Sequence, residues 1–151
     1  MNPLSPVLAF RGPLEIIALI AGLLPFLIIL RAWETLPEEV PTHFGITGRP
    51  DRWGGRWQAW ILPVVSIGLY VVFSIVTGTW SWVLGRQAEL PRGMELMVLM
   101  KPMACILMAY ISRVTVRVAR KETDRLNPWI MFGLVAIMVV PAIALGIFAK
   151  R

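Results

Sequence analysis

One cysteine and one histidine are all that 151 residues offer as thiolate or imidazole ligands. Cys105 alone excludes an internal disulfide, and with His43 it gives no Cys/His zinc spacing. It falls inside an apolar run and reads as a small packing residue. Charge is scarce too, at 16% of residues, against about 25% in a soluble domain. No serine sits in a nucleophile motif, and no glycine-rich loop has the form that cradles phosphates. The net charge is +6, but no soluble basic domain carries it, so nucleic acid is excluded as a partner. Met1 to Gly12 lacks the basic region and small-residue cleavage site of a signal peptide. The first apolar run is therefore expected to be retained as an anchor.

What the chain has is apolar length. Hydrophobic residues make up 57% and mean hydropathy is +0.69, as expected where the main solvent is lipid. Apolar runs predict helices over about 14–33, 58–84, 95–118 and 128–149. A span of about 20 residues at about 1.5 Å each crosses one hydrocarbon core. Pro25 and Pro141 should kink the first and fourth, and Asn127 before Pro128 is a helix-start signal. The third run is interrupted by Lys101 and Arg113. It spans if both side chains snorkel to the head groups, with an interfacial or re-entrant helix as the alternative. Beyond it Arg113, Arg117 and Arg120 recur at helical spacing. Trp33, Trp57, Trp60, Trp80, Trp82 and Trp129 fall at run ends, as in an aromatic belt. The fold expected is all-α: a single membrane domain over 1–151, a polytopic bundle of about four transmembrane helices with a structured polar loop 34–56. Multi-pass residence in the cell membrane follows. With four spans, basic residues are more numerous on the side of that loop, which favours a cytoplasmic loop.

The loop is the longest hydrophilic stretch. Val40, Thr42, Phe44 and Ile46 alternate with Pro41, His43 and Gly45, as in a short extended segment with one apolar face. Gly48-Arg49-Pro50-Asp51 is turn chemistry, and Gly54-Gly55 a second turn. The run Leu36-Pro37, Val40-Pro41-Thr42-His43-Phe44-Gly45 and Gly48-Arg49-Pro50-Asp51-Arg52-Trp53 resembles the signature of the DUF1648 domain of SdpI-like bacterial membrane proteins. The resemblance covers roughly residues 25–70. It implies a non-enzymatic role, with recognition of a peptide or protein partner of the immunity or signalling type. The motif residues it marks for binding are Pro41, His43, Phe44, Gly48, Pro50, Asp51 and Trp53. The longer relatives with that role carry more helices, and their first loop is described as external, opposite to the charge count.

Three alternatives stand beside recognition. Glu15 would serve a small proton-coupled transporter if it faced a wet cavity, although at the edge of its run it can also reach the interface. His43 with Asp51 would serve a metal-dependent membrane enzyme, since neutral imidazole plus carboxylate suits zinc, with Glu38 and Glu39 as further donors. The structural reading has His43 bonding the loop and Asp51 pairing with Arg49 or Arg52. The third alternative is an accessory subunit of a larger membrane complex. No cofactor is expected. Lys101 should snorkel. Ala18-x-x-x-Gly22 and Ala142-x-x-x-Gly146 allow close helix contact, within the bundle or in a homo-oligomer. The eight methionines read as packing filler.

Overall fold

A computed structural model describes residues 10–79 and 95–148. Helix α1 (Arg11–Ala32) ends in a 3₁₀ turn, Trp33–Thr35. Strands β1 (Glu39–Phe44) and β2 (Pro50–Gly55) form one antiparallel hairpin. A 3₁₀ segment, Arg56–Trp60, leads into α2 (Ile61–Val76). Then come α3 (Glu95–Ala119) and α4 (Pro128–Phe148). The stretches Arg11–Thr35, Arg56–Val76 and Met97–Ala119 are long and apolar enough to cross a membrane. The protein is thus a helical membrane protein to which the polar loop adds a two-stranded ribbon. The expected continuation of the second helix through Trp80 and Trp82, and the turn after it, lie outside the described residues.

The helices pack small side inward. Helix α1 buries Ala18, Ala21, Gly22, Pro25, Ile29 and Ala32, while Ile16, Ile20, Leu23, Leu27 and Leu30 face outward. In water that pattern would be inside out. In lipid it is the expected one, because tails are as apolar as leucine and only backbone proximity distinguishes the helix interface. Gly22 and Ala18 are used inside the bundle: a Cβ on Gly22 would lie 3.6 Å from Tyr70 and 3.7 Å from Cys105 Sγ. Ala142 and Gly146 lie among residues whose side chains are not described. Ser66 on α2 donates to the Gly22 carbonyl at 3.2 Å, one turn before Pro25. Helix α3 is central. It packs along α1 and α2 and touches β1 and α4.

The hairpin is seated on the helix ends. Val40 and Leu36 enter one apolar cluster with Ile29, Ala32, Ala59, Val116 and Ala119. Arg56 N–H donates to the Glu38 carbonyl at 2.7 Å, closing the hairpin base. The tip differs from the expected turn at Gly48–Asp51. Gly48 N–H donates to Gly45 O at 2.8 Å and Gly45 N–H to Arg49 O at 2.8 Å, so the turn is 45–48, with Gly48 left-handed at φ 77°. This is a three-residue hairpin loop with its glycine at the left-handed position. Pro50 and Asp51 belong to β2.

Asn127 caps α4, its Oδ1 accepting from Trp129 N–H at 3.0 Å. Helix α3 ends in paired bonds, Lys121 N–H to Val118 O and Glu122 N–H to Arg117 O, both 2.9 Å. Lys121 sits at φ 59°, where glycine is the usual occupant. Lys121→Gly should therefore stabilise the protein by about 0.5–1 kcal/mol, read as a higher unfolding midpoint in detergent. An unchanged or lower midpoint would mean that the Lys121 side chain contributes more than its backbone strain costs.

Candidate functional site

The expected alternation along β1 is broken, and the break builds the site. Pro41 pairs with Trp53 and His43 with Arg52, so Thr42 is an extra residue on β1. His43 pairs with Arg52 and Phe44 with Pro50, so Asp51 is an extra residue on β2. Two compensating bulges re-aim side chains that a regular ladder would alternate. His43 Nδ1 and Asp51 Oδ1 meet at 2.6 Å. Asp51 therefore pairs with the histidine, and not with Arg49 or Arg52 as expected. Both side chains are more than half exposed, at 61% and 51%, so the pair contributes about 0.2–1 kcal/mol at most. Its role in folding is small.

Behind the hairpin lies a cleft of about 260 Å³. Pro41, Phe44, Ala59, Leu62, Ile111 and Met131 give it apolar walls, and Thr42, His43, Gln58 and Thr115 are its polar groups. Thr115 is the unusual one. It is 2% exposed, and its hydroxyl has no hydrogen-bond partner among the described residues. An unsatisfied buried hydroxyl costs about 1–3 kcal/mol.

Of the marked motif residues, the structure brings Pro41, His43 and Phe44 to this cleft. Asp51 reaches its rim through His43. Gly48 instead docks the tip, its carbonyl accepting from Leu126 N–H at 2.8 Å. Pro50 and Trp53 stand on β2, opposite Phe44 and Pro41. As metal donors His43 and Asp51 form only a pair: among the described residues no group of three or more His, Cys, Asp and Glu side chains converges. A catalytic zinc centre takes three protein ligands, so these two would need another from elsewhere. Glu38 and Glu39 do not complete the set.

A second polar cluster occupies the opposite end of the bundle. Lys101, expected to snorkel, is fully buried. Its ammonium lies 2.7 Å from both Glu15 carboxylate oxygens, 2.8 Å from Thr79 Oγ1 and 3.2 Å from Ser74 Oγ. Thr79 also donates to Glu15 Oε1 at 2.8 Å. The Tyr70 ring lies 5.4 Å from the ammonium. Arg11, one turn before Glu15, donates to the Thr77 carbonyl at 2.6 Å. Glu15 is 8% exposed and does not reach out to the interface. Nothing local predicts this pairing, since the partners are 86 positions apart.

Comparison with known proteins falls on the first of these ends. The profile of the family described as "Domain of unknown function (DUF1648)" matches residues 20–67. A protein of Archaeoglobus fulgidus described as "Uncharacterized protein" is 46% identical over 59 residues, 39% of this chain and 32% of the relative. The chain thus spans about a third of the length of that curated relative. No solved structure matches. The matched segment contains the inner face of α1 from Gly22 to Ala32, the whole hairpin, and Ser66 with its bond to Gly22. It contains neither Glu15 nor Lys101. Residues 20–67, the segment that matches the DUF1648 model, hold most of α1, the bulged hairpin and the start of α2.

Proposed function

We propose that the protein is a non-enzymatic, multi-pass recognition protein of the cell membrane, with α4 as a fourth span, that binds a peptide or protein segment in the cleft behind the hairpin. One observation carries this reading: the cleft combines apolar walls with a buried, unpartnered Thr115 hydroxyl. An incoming backbone N–H or C=O would satisfy that hydroxyl, while Phe44, Leu62 and Met131 would take an apolar side chain. His43 and Thr42 stand at the mouth as further hydrogen-bonding groups. An immunity or signalling role of the SdpI type fits this chemistry, because such a role needs recognition and no covalent step.

The test is photo-crosslinking in native membranes from a reactive side chain at Thr42, the exposed bulge residue. The expected result is a discrete polypeptide adduct that disappears in Thr115→Val. The same substitution should raise stability by about 1 kcal/mol, because it removes an unsatisfied buried polar group at constant shape. Adducts with lipid alone, or a polypeptide adduct indifferent to Thr115→Val, would overturn the reading.

A second reading, a proton-coupled carrier, is favoured by the buried Glu15–Lys101 pair. Ionisable groups inside a membrane domain are rare and usually functional. The two cavities at the hairpin end do not include either residue.

A further inference from the structure

The hairpin end of the bundle holds a second depression of about 320 Å³, between α1 and α3. Its rim is made of arginines: Arg31 from the last turn of α1, Arg113 and Arg117 from successive turns of α3, and Arg120 just beyond its end. Its floor is apolar, from Ile28, Ala32 and Val116. Glu122 is the one acid at the rim, and it engages only part of the set, at 3.5 Å from Arg117 and 3.8 Å from Arg120. Arg120 also donates to the Thr35 hydroxyl. Arg31 and Arg113 have no carboxylate within ion-pair distance among the described residues. Four guanidinium groups against one carboxylate leave a local excess of three positive charges.

The level of this depression is set by aromatic residues. Trp33, immediately after α1, packs in tilted contact against Trp57 and Trp60 at centroid separations of 4.8 and 5.7 Å. Arg56 lies over the Trp33 ring at 4.6 Å. Tryptophans in that arrangement mark the head-group layer of a bilayer. The depression therefore combines an apolar floor with a fork-shaped cationic rim where phosphates lie. Guanidinium groups bind phosphate oxygens in bidentate fashion, which lysines do not.

We infer that Arg31, Arg113, Arg117 and Arg120 form a binding site for the phosphate of an anionic phospholipid, with one acyl chain along Ile28 and Val116. The site is distinct from the recognition cleft and does not depend on the reading of that cleft. It draws its arginines from both sides of the matched domain boundary: Arg31 lies inside residues 20–67, the other three outside. A bound lipid would tie α3 to the DUF1648 unit through opposite charge, where the protein alone has like charges facing one another.

The experiment is native mass spectrometry of the detergent-purified protein titrated with phosphatidylglycerol, and separately with phosphatidylcholine of equal chain length. Phosphatidylglycerol should bind more tightly than phosphatidylcholine at one saturable position. Arg31→Gln/Arg113→Gln should weaken that position about 30-fold, or about 2 kcal/mol at about 1.4 kcal/mol per tenfold. Arg49→Gln/Arg52→Gln removes the same charge from the hairpin and should leave it unchanged. Equal losses in the two double variants would mean diffuse attraction and overturn the site. So would equal affinity for the two lipids. Displacement of phosphatidylglycerol by millimolar inorganic phosphate would assign the pocket to a free anion and overturn the lipid assignment.

Discussion

Replacing Lys101 by methionine, or Glu15 by glutamine, should each destabilise the protein by about 3–5 kcal/mol, while the double variant should lie within about 1 kcal/mol of wild type. The pair is closed: the ammonium uses the Glu15 carboxylate, Thr79 and Ser74, and the two side chains are 1% and 9% exposed. Removal of either partner leaves a buried charge without the counter-charge it is bonded to. Removal of both leaves a neutral amide, two hydroxyls and a methionine that occupies the lysine's volume. Thermal unfolding of the detergent-purified variants, followed by tryptophan fluorescence, reads the cycle. Single variants that lose less than about 1 kcal/mol would mean that water reaches the pair.

The double variant also separates the two functional readings, because it removes the titratable groups without unfolding the bundle. In liposomes carrying an internal pH dye, a carrier should lose proton flux in Glu15→Gln/Lys101→Met. A recognition protein should show no flux beyond empty liposomes in either form, and its Thr42 crosslink should survive. Arg11 and Thr77 would then be read with the pair as a structural brace across α1, α2 and α3.

The helical, membrane-type character was legible because lipid imposes it on composition: every outward position must be apolar, so spans appear as uninterrupted runs. The start of α4 was equally legible, since Asn127 and Pro128 act within one turn. The polar loop was legible as ordered and partly extended, but its geometry was not. Whether the turn falls at 45–48 or at 48–51 depends on register. Register here is set by the bulges at Thr42 and Asp51 and by the docking of the tip on Leu126, 78 positions from Gly48 in sequence. Lys101 was misread for the same reason. Snorkelling is the default of a lysine considered with its neighbours, and only the fold brings Glu15 to it. The cleft was half visible: Pro41, His43 and Phe44 carry the motif, whereas Thr115 is one threonine in a helix of valines and arginines, with no local sign that its hydroxyl is left over. Arg31 and Arg113 were each legible as basic residues at run ends, but their convergence was not.

Gly48→Ala should cost about 2–4 kcal/mol and release the hairpin tip, an effect out of proportion to one methyl group. Gly48 is at φ 77°, where an L side chain costs about 1–2 kcal/mol. Its position is also occupied from outside: an added Cβ would fall 2.0 Å from the Leu126 carbonyl oxygen and 3.0 Å from its carbon. Those atoms are backbone and cannot swing aside. Leu126 itself is held, 1% exposed, against Val114, Val118 and Phe44. The tip must therefore lift, and the Leu126 N–H to Gly48 O bond of 2.8 Å is lost with it. Gly55→Ala is the control on the same ribbon. Its φ is −61° and an added Cβ meets nothing within 4 Å, so it should be neutral or slightly stabilising. Hydrogen exchange at the Leu126 amide reads the clasp directly: fast in Gly48→Ala, slow in Gly55→Ala and wild type. Because Phe44 and Leu126 both line the cleft, lifting the tip opens it, and the polypeptide crosslink from Thr42 should fall in Gly48→Ala alone. Equal exchange in both variants would mean that the hairpin is held by the Val40 cluster and that the tip contact is incidental.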